Sequence, residues 1–236
     1  MYCPETRQIL GKQTLDDKEG ERLAVIELVT KTGRGVLPGI MSGDAGIVSP
    51  EVTRVMVAAG HGFVLQIKGN SGLAYEEAGE MAWDHVVVAD VDQSKGHGRD
   101  ELRVTKAIAS EFADFDELEK YANIGVVLQV ERTAKYTKSA RETSDKSYYI
   151  GDAVFASLDL QMQARYVRDH WAQESYHWVK DVVMKEDDSW QRTSNGSRAL
   201  STIRSIVAKL GRAVCDSPKR FIDRFTADPQ NMILGT

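Results

Sequence analysis

Cysteine is scarce in this 236-residue chain: only Cys3 and Cys215 are present, neither in a metal-binding spacing. Two such thiols make no disulfide framework, so a reducing cytoplasm is the expected compartment. No apolar run approaches the roughly 18 residues needed to cross a bilayer, and the N-terminus carries no signal-peptide pattern, so no membrane partner is expected. Internal repeats, low-complexity tracts and Pro-rich linkers are also missing. Positive charge is in deficit: the formal net charge is −5 and the pI about 5.6. That balance is unusual for a protein that must hold a polyanion. What is present, 42% hydrophobic and 28% charged residues, suits one sizeable α/β domain with an insertion, or two small domains.

The charge is unevenly spread. Between Arg192 and Arg224 the cations Arg192, Arg198, Arg204, Lys209, Arg212, Lys219, Arg220 and Arg224 face only Asp216 and Asp223. A second cluster, ERTAKYTKSAR, sets Arg132, Lys135, Lys138 and Arg141 around Tyr136, an arrangement suited to phosphate contacts with one stacking ring. Both clusters read equally well as ordinary exposed charge. The acidic run from Glu111 to Glu119 reads as a solvated face or a short helix.

The stretch 165–189, RYVRDHWAQESYHWVKDVVMKEDDS, is the most informative. Tyr166, His170, Glu174, His177 and Asp181 recur at helical spacing and share one face, while Trp171, Trp178 and Val182 form an apolar stripe beside it. A carboxylate among Trp171, Tyr176 and Trp178 needs a cation or a hydrogen-bond partner, which makes Glu174 a candidate metal ligand. The alternative is an ordinary core helix whose Glu and His are satisfied by neighbours. His170, one turn before Glu174, either orients the carboxylate, contacts nucleic acid, or fills a polar gap.

A second acid stands out upstream. Val36, Leu37, Ile40 and Met41 read as a buried strand, Gly43 and Gly46 bracket Asp44, and Ser49-Pro50-Glu51 is a good helix start. An acid at the carboxyl end of a strand lies where α/β sheets bind ligands; a turn Asp bonding its own backbone is the plainer reading. Two acids so far apart in sequence are the raw material of two-metal phosphoryl chemistry, which uses hard oxygen ligands. The middle of the chain is β-rich, with HVVVADVD, LRVTKAIA, IGVVLQVER and KSYYIGD each reading as a strand. His97, flanked by glycines before Arg99, could approach a phosphate or could be an idle loop His.

These blocks carry a family resemblance. HWAQESYHWVKDVVMKEDDS, with His170, Trp171, Glu174, His177, Trp178, Asp181, Glu186 and Asp187, followed by Arg192, Asn195 and RALSTIRSIVAKLGR, resembles the C-terminal signature of bacterial insertion-sequence transposases of the DDE class, H-repeat-associated type. GIMSGDAGIVSPEVTRVMVAAGHGFVLQIKGN resembles the family's second-aspartate region. GHGRDELRV (His97, Arg99, Glu101, Arg103) and SYYIGD resemble two further blocks, all in the family's order.

The resemblance implies an RNase H-like catalytic core with a β-rich insertion and a helical C-terminal segment. It divides the chain into a partial core over 1–82, an insertion over 83–152, and a helical part over 153–236 carrying the catalytic Glu and a basic tail. It implies Asp44 and Glu174 as catalytic carboxylates holding Mg²⁺ or Mn²⁺, with Lys68, Asn70, His97, Arg99, Arg132, His170, Arg192 and Asn195 contacting DNA. The partner would be DNA, both element ends and target, and assembly into a homo-oligomer is open. The reaction would be cleavage and strand transfer at element ends.

One departure from the family matters. The family's first catalytic Asp, on the first strand of the sheet, has no counterpart, so the chain reads as N-terminally truncated. Asp16 and Asp17, in DDKEGER, read as caps of a helix with Leu23, Ile26 and Leu28 as apolar positions and are not promoted to catalysis. The competing expectation is an inactive DNA-binding or oligomerising remnant, and a third is a host nuclease on the same fold.

Overall fold

The computed structural model describes residues 2–3, 8–9, 20–32, 39–86, 88–96, 98–113, 115–139, 141–178, 182, 184–185 and 194–214. The chain divides into two compact units, one of Leu10–His170 and one of Met1–Ile9 with Trp171–Thr236. In chain order the elements are β1 (Tyr2–Cys3), β2 (Gln8–Ile9), α1 (Glu21–Thr32), β3 (Ile40–Gly43), α2 (Pro50–Ala58), β4 (Gly62–Ile67), α3 (Leu73–Glu80), β5 (Val88–Gly96), β6 (Arg99–Ala109), β7 (Ile124–Tyr136), β8 (Glu142–Asp152), α4 (Ala153–Ala156), α5 (Leu160–Trp178) and α6 (Ser194–Val214).

The unit Leu10–His170 is an α/β arrangement built on a mixed six-stranded sheet of order β3-β4-β8-β7-β6-β5. β3 and β4 are parallel, joined through α2, and the remaining pairs are antiparallel. The hydrophobic pattern explains the order. Every residue of β4 is buried, as a strand covered on both faces requires, whereas β5 at the far edge is mostly exposed or half-exposed and rich in charge, which protects an edge from pairing with other chains.

One face of the sheet carries Val64, Val126, Leu128, Val130 and Tyr149, packed against Phe155 of α4 and Val167 of α5. α4 approaches so closely that a Cβ on Gly151 would lie 2.3 Å from the Phe155 ring; only a bare glycine fits there. Asp152 locks this corner. Its buried Oδ1 accepts the N–H of Phe155 at 3.0 Å, capping α4, and the N–H of Phe63 at 3.0 Å, tying β4 to β8.

The sequence reading meets most of these elements. Ser49 caps α2, its hydroxyl accepting the Val52 N–H at 3.2 Å, with Pro50 in the first turn. The four expected strands of the β-rich stretch are β5 to β8. The acidic run holds two single-turn 3₁₀ segments, Ser110–Phe112 and Leu118–Lys120, with Glu77 of α3 accepting the N–H groups of Asp116 and Leu118 at 2.7 and 2.8 Å. In α1 Val29 is buried, the expected Ile26 and Leu28 are half-buried, and Leu23 is exposed. Asp16, Asp17, Val36 and Leu37 lie outside the described residues.

In the other unit β1 and β2 form a short antiparallel pair. α6 buries Ser205 and Ala208 while Ile203 and Ile206 face outward. No helix among the described residues is long and apolar enough to cross a membrane.

Candidate active site

β3 delivers Asp44 to the end of the sheet, where the chain turns before α2. The turn is tight: a Cβ on Gly43 would lie 2.3 Å from Ile47 Cδ1 and 2.9 Å from Leu65 Cδ2, so glycine lets the chain fold back against β4. Asp44 is exposed, and its Oδ1 accepts the Gly46 N–H at 3.1 Å. That bond is the turn role expected of an Asp here. It occupies one oxygen only; among the described residues no donor reaches Oδ2.

Two neighbours fasten the turn from outside. Asn70, just past the end of β4, donates its side-chain amide to the Ala45 carbonyl at 2.7 Å, and Arg22 of α1 donates Nε to the Gly46 carbonyl at 3.3 Å. Glu21 stands beside them. A Cβ placed on Gly46 would be 3.1 Å from Glu21 Oε2 and 3.3 Å from Asp44 Oδ1, so two carboxylates flank one glycine. Lys68 also lies at this end of the sheet, since β3 and β4 run parallel with Gly43 opposite Leu65, and it is exposed.

Helix α5 reaches the same strand. Its start is capped by Asp159, whose Oδ1 accepts the Met162 N–H at 2.8 Å, and it buries Ala164 and Val167 on the core. One turn beyond Val167, buried His170 sets Nδ1 3.3 Å from Ser42 Oγ, two residues before Asp44. Glu174 follows His170 by one turn in the same helix; its side chain lies outside the described residues.

A separate cluster forms on the outer sheet. Arg99, Glu101 and Arg103 alternate along β6 and so share a face, and the register sets Arg132 of β7 opposite Arg103. Glu101 is only 7% exposed and is met by three guanidinium groups: Arg99 Nε at 2.5 Å, and Nη2 of both Arg103 and Arg132. Burial alone would push the Glu101 carboxyl up. The hydrogen bond from Arg132 and the charges of Arg103, Arg132 and Arg99 outweigh it and hold the group below its usual range. The chain of charges continues through Arg103 to Asp92 at 3.4 Å and from Asp92 to Arg168 of α5 at 2.5 Å. Arg99 and Arg132, expected at DNA, are therefore both engaged with Glu101.

No protein-family model matches the chain. It is 29% identical to "Putative transposase YncI" of Escherichia coli O157:H7 over 220 residues, 89% of this chain and 55% of that protein. It is 26% identical to "H repeat-associated putative transposase YhhI" of Escherichia coli strain K12 over 215 residues, 86% of this chain and 54% of that protein. "Putative protein YbfL" of the same strain is 27% identical over 211 residues, with 86% and 54% covered. The chain is thus similar to proteins named as transposases, one of them of the H repeat-associated kind. It spans about half the length of the curated relatives it matches.

Against that relationship the expected site residues divide clearly. Asp44 and Asn70 meet through the turn, and His170 touches Asp44's strand. Lys68 shares their end of the sheet, and Arg99 and Arg132 form the second cluster. The side chains of Glu174 and Asn195 lie outside the described residues, as do His97 and Arg192 altogether. Among the described residues no group of three or more His, Cys, Asp or Glu side chains is placed to hold a metal ion. Arg22 and Ser42 escaped the sequence reading, since nothing in their local pattern marks contacts made 24 and 128 residues away.

Proposed function

We propose that this chain carries two of the acids of a DDE transposase centre, Asp44 at the end of β3 and Glu174 in α5, within an RNase H-like core interrupted by the β-rich stretch. The observation that carries the reading is the contact between His170 and Ser42. It ties His170 of α5 to Ser42, two residues before Asp44. The likeness to transposases supports it, because a match over 89% of the chain takes in both acids.

In this reading Asp44 and Glu174 hold a magnesium or manganese ion, hard cations that suit carboxylate oxygens. When bound, such an ion supplies Lewis-acid stabilisation for in-line attack at a phosphodiester. The chain's own residues do the positioning: His170 seats α5, Asn70 and Arg22 hold the Asp44 turn, and Lys68 offers a cation to the DNA backbone. Arg99, Arg132, His97, Arg192 and Asn195 are proposed further DNA contacts, with element ends and target DNA as the substrates.

The test is cleavage of duplex DNA bearing the element's ends, with and without Mg²⁺. Metal-dependent cleavage lost in both Asp44→Ala and Glu174→Ala is the expected result. End binding with no cleavage under any metal would assign the inactive remnant instead, and equal nicking of DNA without element ends would assign a general nuclease.

A further inference from the structure

We propose that Asn70 is a positioning residue for Asp44, acting through the backbone of the turn rather than through DNA. The inference rests on the reading of Asp44 as a metal-holding acid and assigns a role to a residue that the family resemblance places at DNA.

Three observations carry it. First, the Asn70 amide is engaged in the fold: Nδ2 donates to the Ala45 carbonyl at 2.7 Å, a side-chain bond joining the segment after β4 to the turn after β3. Second, Asn70 is held firmly enough to do this. It sits in the 3₁₀ turn Gly69–Ser71, where the Ser71 N–H bonds the Lys68 carbonyl at 2.7 Å and the Gly72 N–H bonds the Gly69 carbonyl at 3.1 Å. Third, the turn it grips has little support of its own. Asp44 is exposed, and among the described residues its own link is one bond to Gly46 and the brace beyond Asn70 is one 3.3 Å contact from Arg22.

The Ala45 carbonyl belongs to the same planar peptide as the Gly46 N–H, which donates to Asp44 Oδ1 at 3.1 Å, so fixing that carbonyl fixes the donor that holds the Asp44 carboxylate. Asn70 thereby restricts which way Oδ2 of Asp44 points. A polar neighbour that orients a carboxylate ligand in this way commonly governs metal affinity as strongly as the ligand itself.

The experiment is a titration of the full chain with Mn²⁺, without DNA, reading the free-ion electron paramagnetic resonance signal for wild type, Asp44→Ala, Asn70→Ala and Asn70→Gln. Metal-free binding to end-bearing duplex is measured in parallel by anisotropy, and thermal unfolding confirms that each variant is folded. Asn70→Ala should weaken Mn²⁺ binding by roughly 10- to 100-fold, the usual cost of losing an orienting neighbour. Metal-free DNA affinity should stay within about twofold, and Asn70→Gln, which keeps the amide, should recover part of the loss. Unchanged Mn²⁺ binding in Asn70→Ala overturns the proposal, and an accompanying loss of DNA affinity would make Asn70 a DNA contact. If wild type binds Mn²⁺ no better than Asp44→Ala, Asp44 is not a metal ligand, and the functional reading falls together with this one.

Discussion

Replacing Glu101 by Gln tests how the outer sheet is held together. The change keeps the size of the side chain and removes the charge on which Arg99, Arg103 and Arg132 converge. Breaking one partner out of a buried ion pair costs roughly 3 to 5 kcal/mol, because the remaining charge is left uncompensated. Here the three arginine side chains are 24 to 34% exposed and can turn partly toward water, so a loss near the lower end, about 3 kcal/mol, is expected. Urea unfolding followed by circular dichroism reads this as a lowered midpoint at unchanged slope.

The pH dependence follows from the sign of the perturbation. The Glu101 carboxyl is held below its usual value in the folded protein, so its contribution is complete above the unfolded-state value and vanishes as the pH falls through the folded one. The stability gap between wild type and Glu101→Gln should therefore be full at neutral pH, begin to close as the pH drops past the usual 4.5, and disappear once the folded carboxyl is protonated. A gap smaller than about 0.5 kcal/mol at neutral pH, the range of ordinary surface substitutions, would refute the argument. So would a gap that widens toward acid.

Two further substitutions probe the corners that frame the candidate site. Asp152→Ala strands two buried N–H groups, those of Phe63 and Phe155, at about 1 to 3 kcal/mol each. Asp152→Asn keeps an accepting oxygen and should recover most of that loss in the same urea assay; equal damage from both would show that charge, not hydrogen bonding, matters there. Gly43→Ala would force a methyl to within 2.3 Å of Ile47 Cδ1, costing about 1 to 3 kcal/mol. Pairing it with Ile47→Ala should relieve the strain, and a Gly43→Ala protein as stable as wild type would mean the turn is looser than described.

Much of the scaffold is legible in the sequence because its signals are local. Ser49-Pro50 announces α2, the β-branched runs announce β5 to β8, and Gly43 and Gly46 around Asp44 announce a turn. The site's wiring is less legible. Asn70 is expected at DNA from the family resemblance, yet its amide donates to the Ala45 carbonyl, which only the parallel register of β3 and β4 brings near. Arg99 and Arg132 read as phosphate ligands because each is a cation near an aromatic or glycine-rich stretch. The alternation Arg99, Glu101, Arg103 was the available clue: at a period of two it puts opposite charges on one strand face, and Arg132 then arrives through pairing that no single sequence displays. Leu23 misleads for a related reason, since α1 follows the partner it packs on, and its face cannot be chosen from apolar positions alone.

The pairing of β4 with β8 also dictates a timetable for the nascent chain. Val64 finds its neighbour at Gly151, and everything from α3 through β7 is synthesised in between. The acid-bearing turn after β3 thus leaves the ribosome long before the strand that finishes its sheet, and until Asp152 emerges one flank of β4 stays without hydrogen bonds. Long-range closures of this kind are slow. A ribosome stalled just short of β8 should therefore present an open strand to chaperones, and one stalled well after it should not.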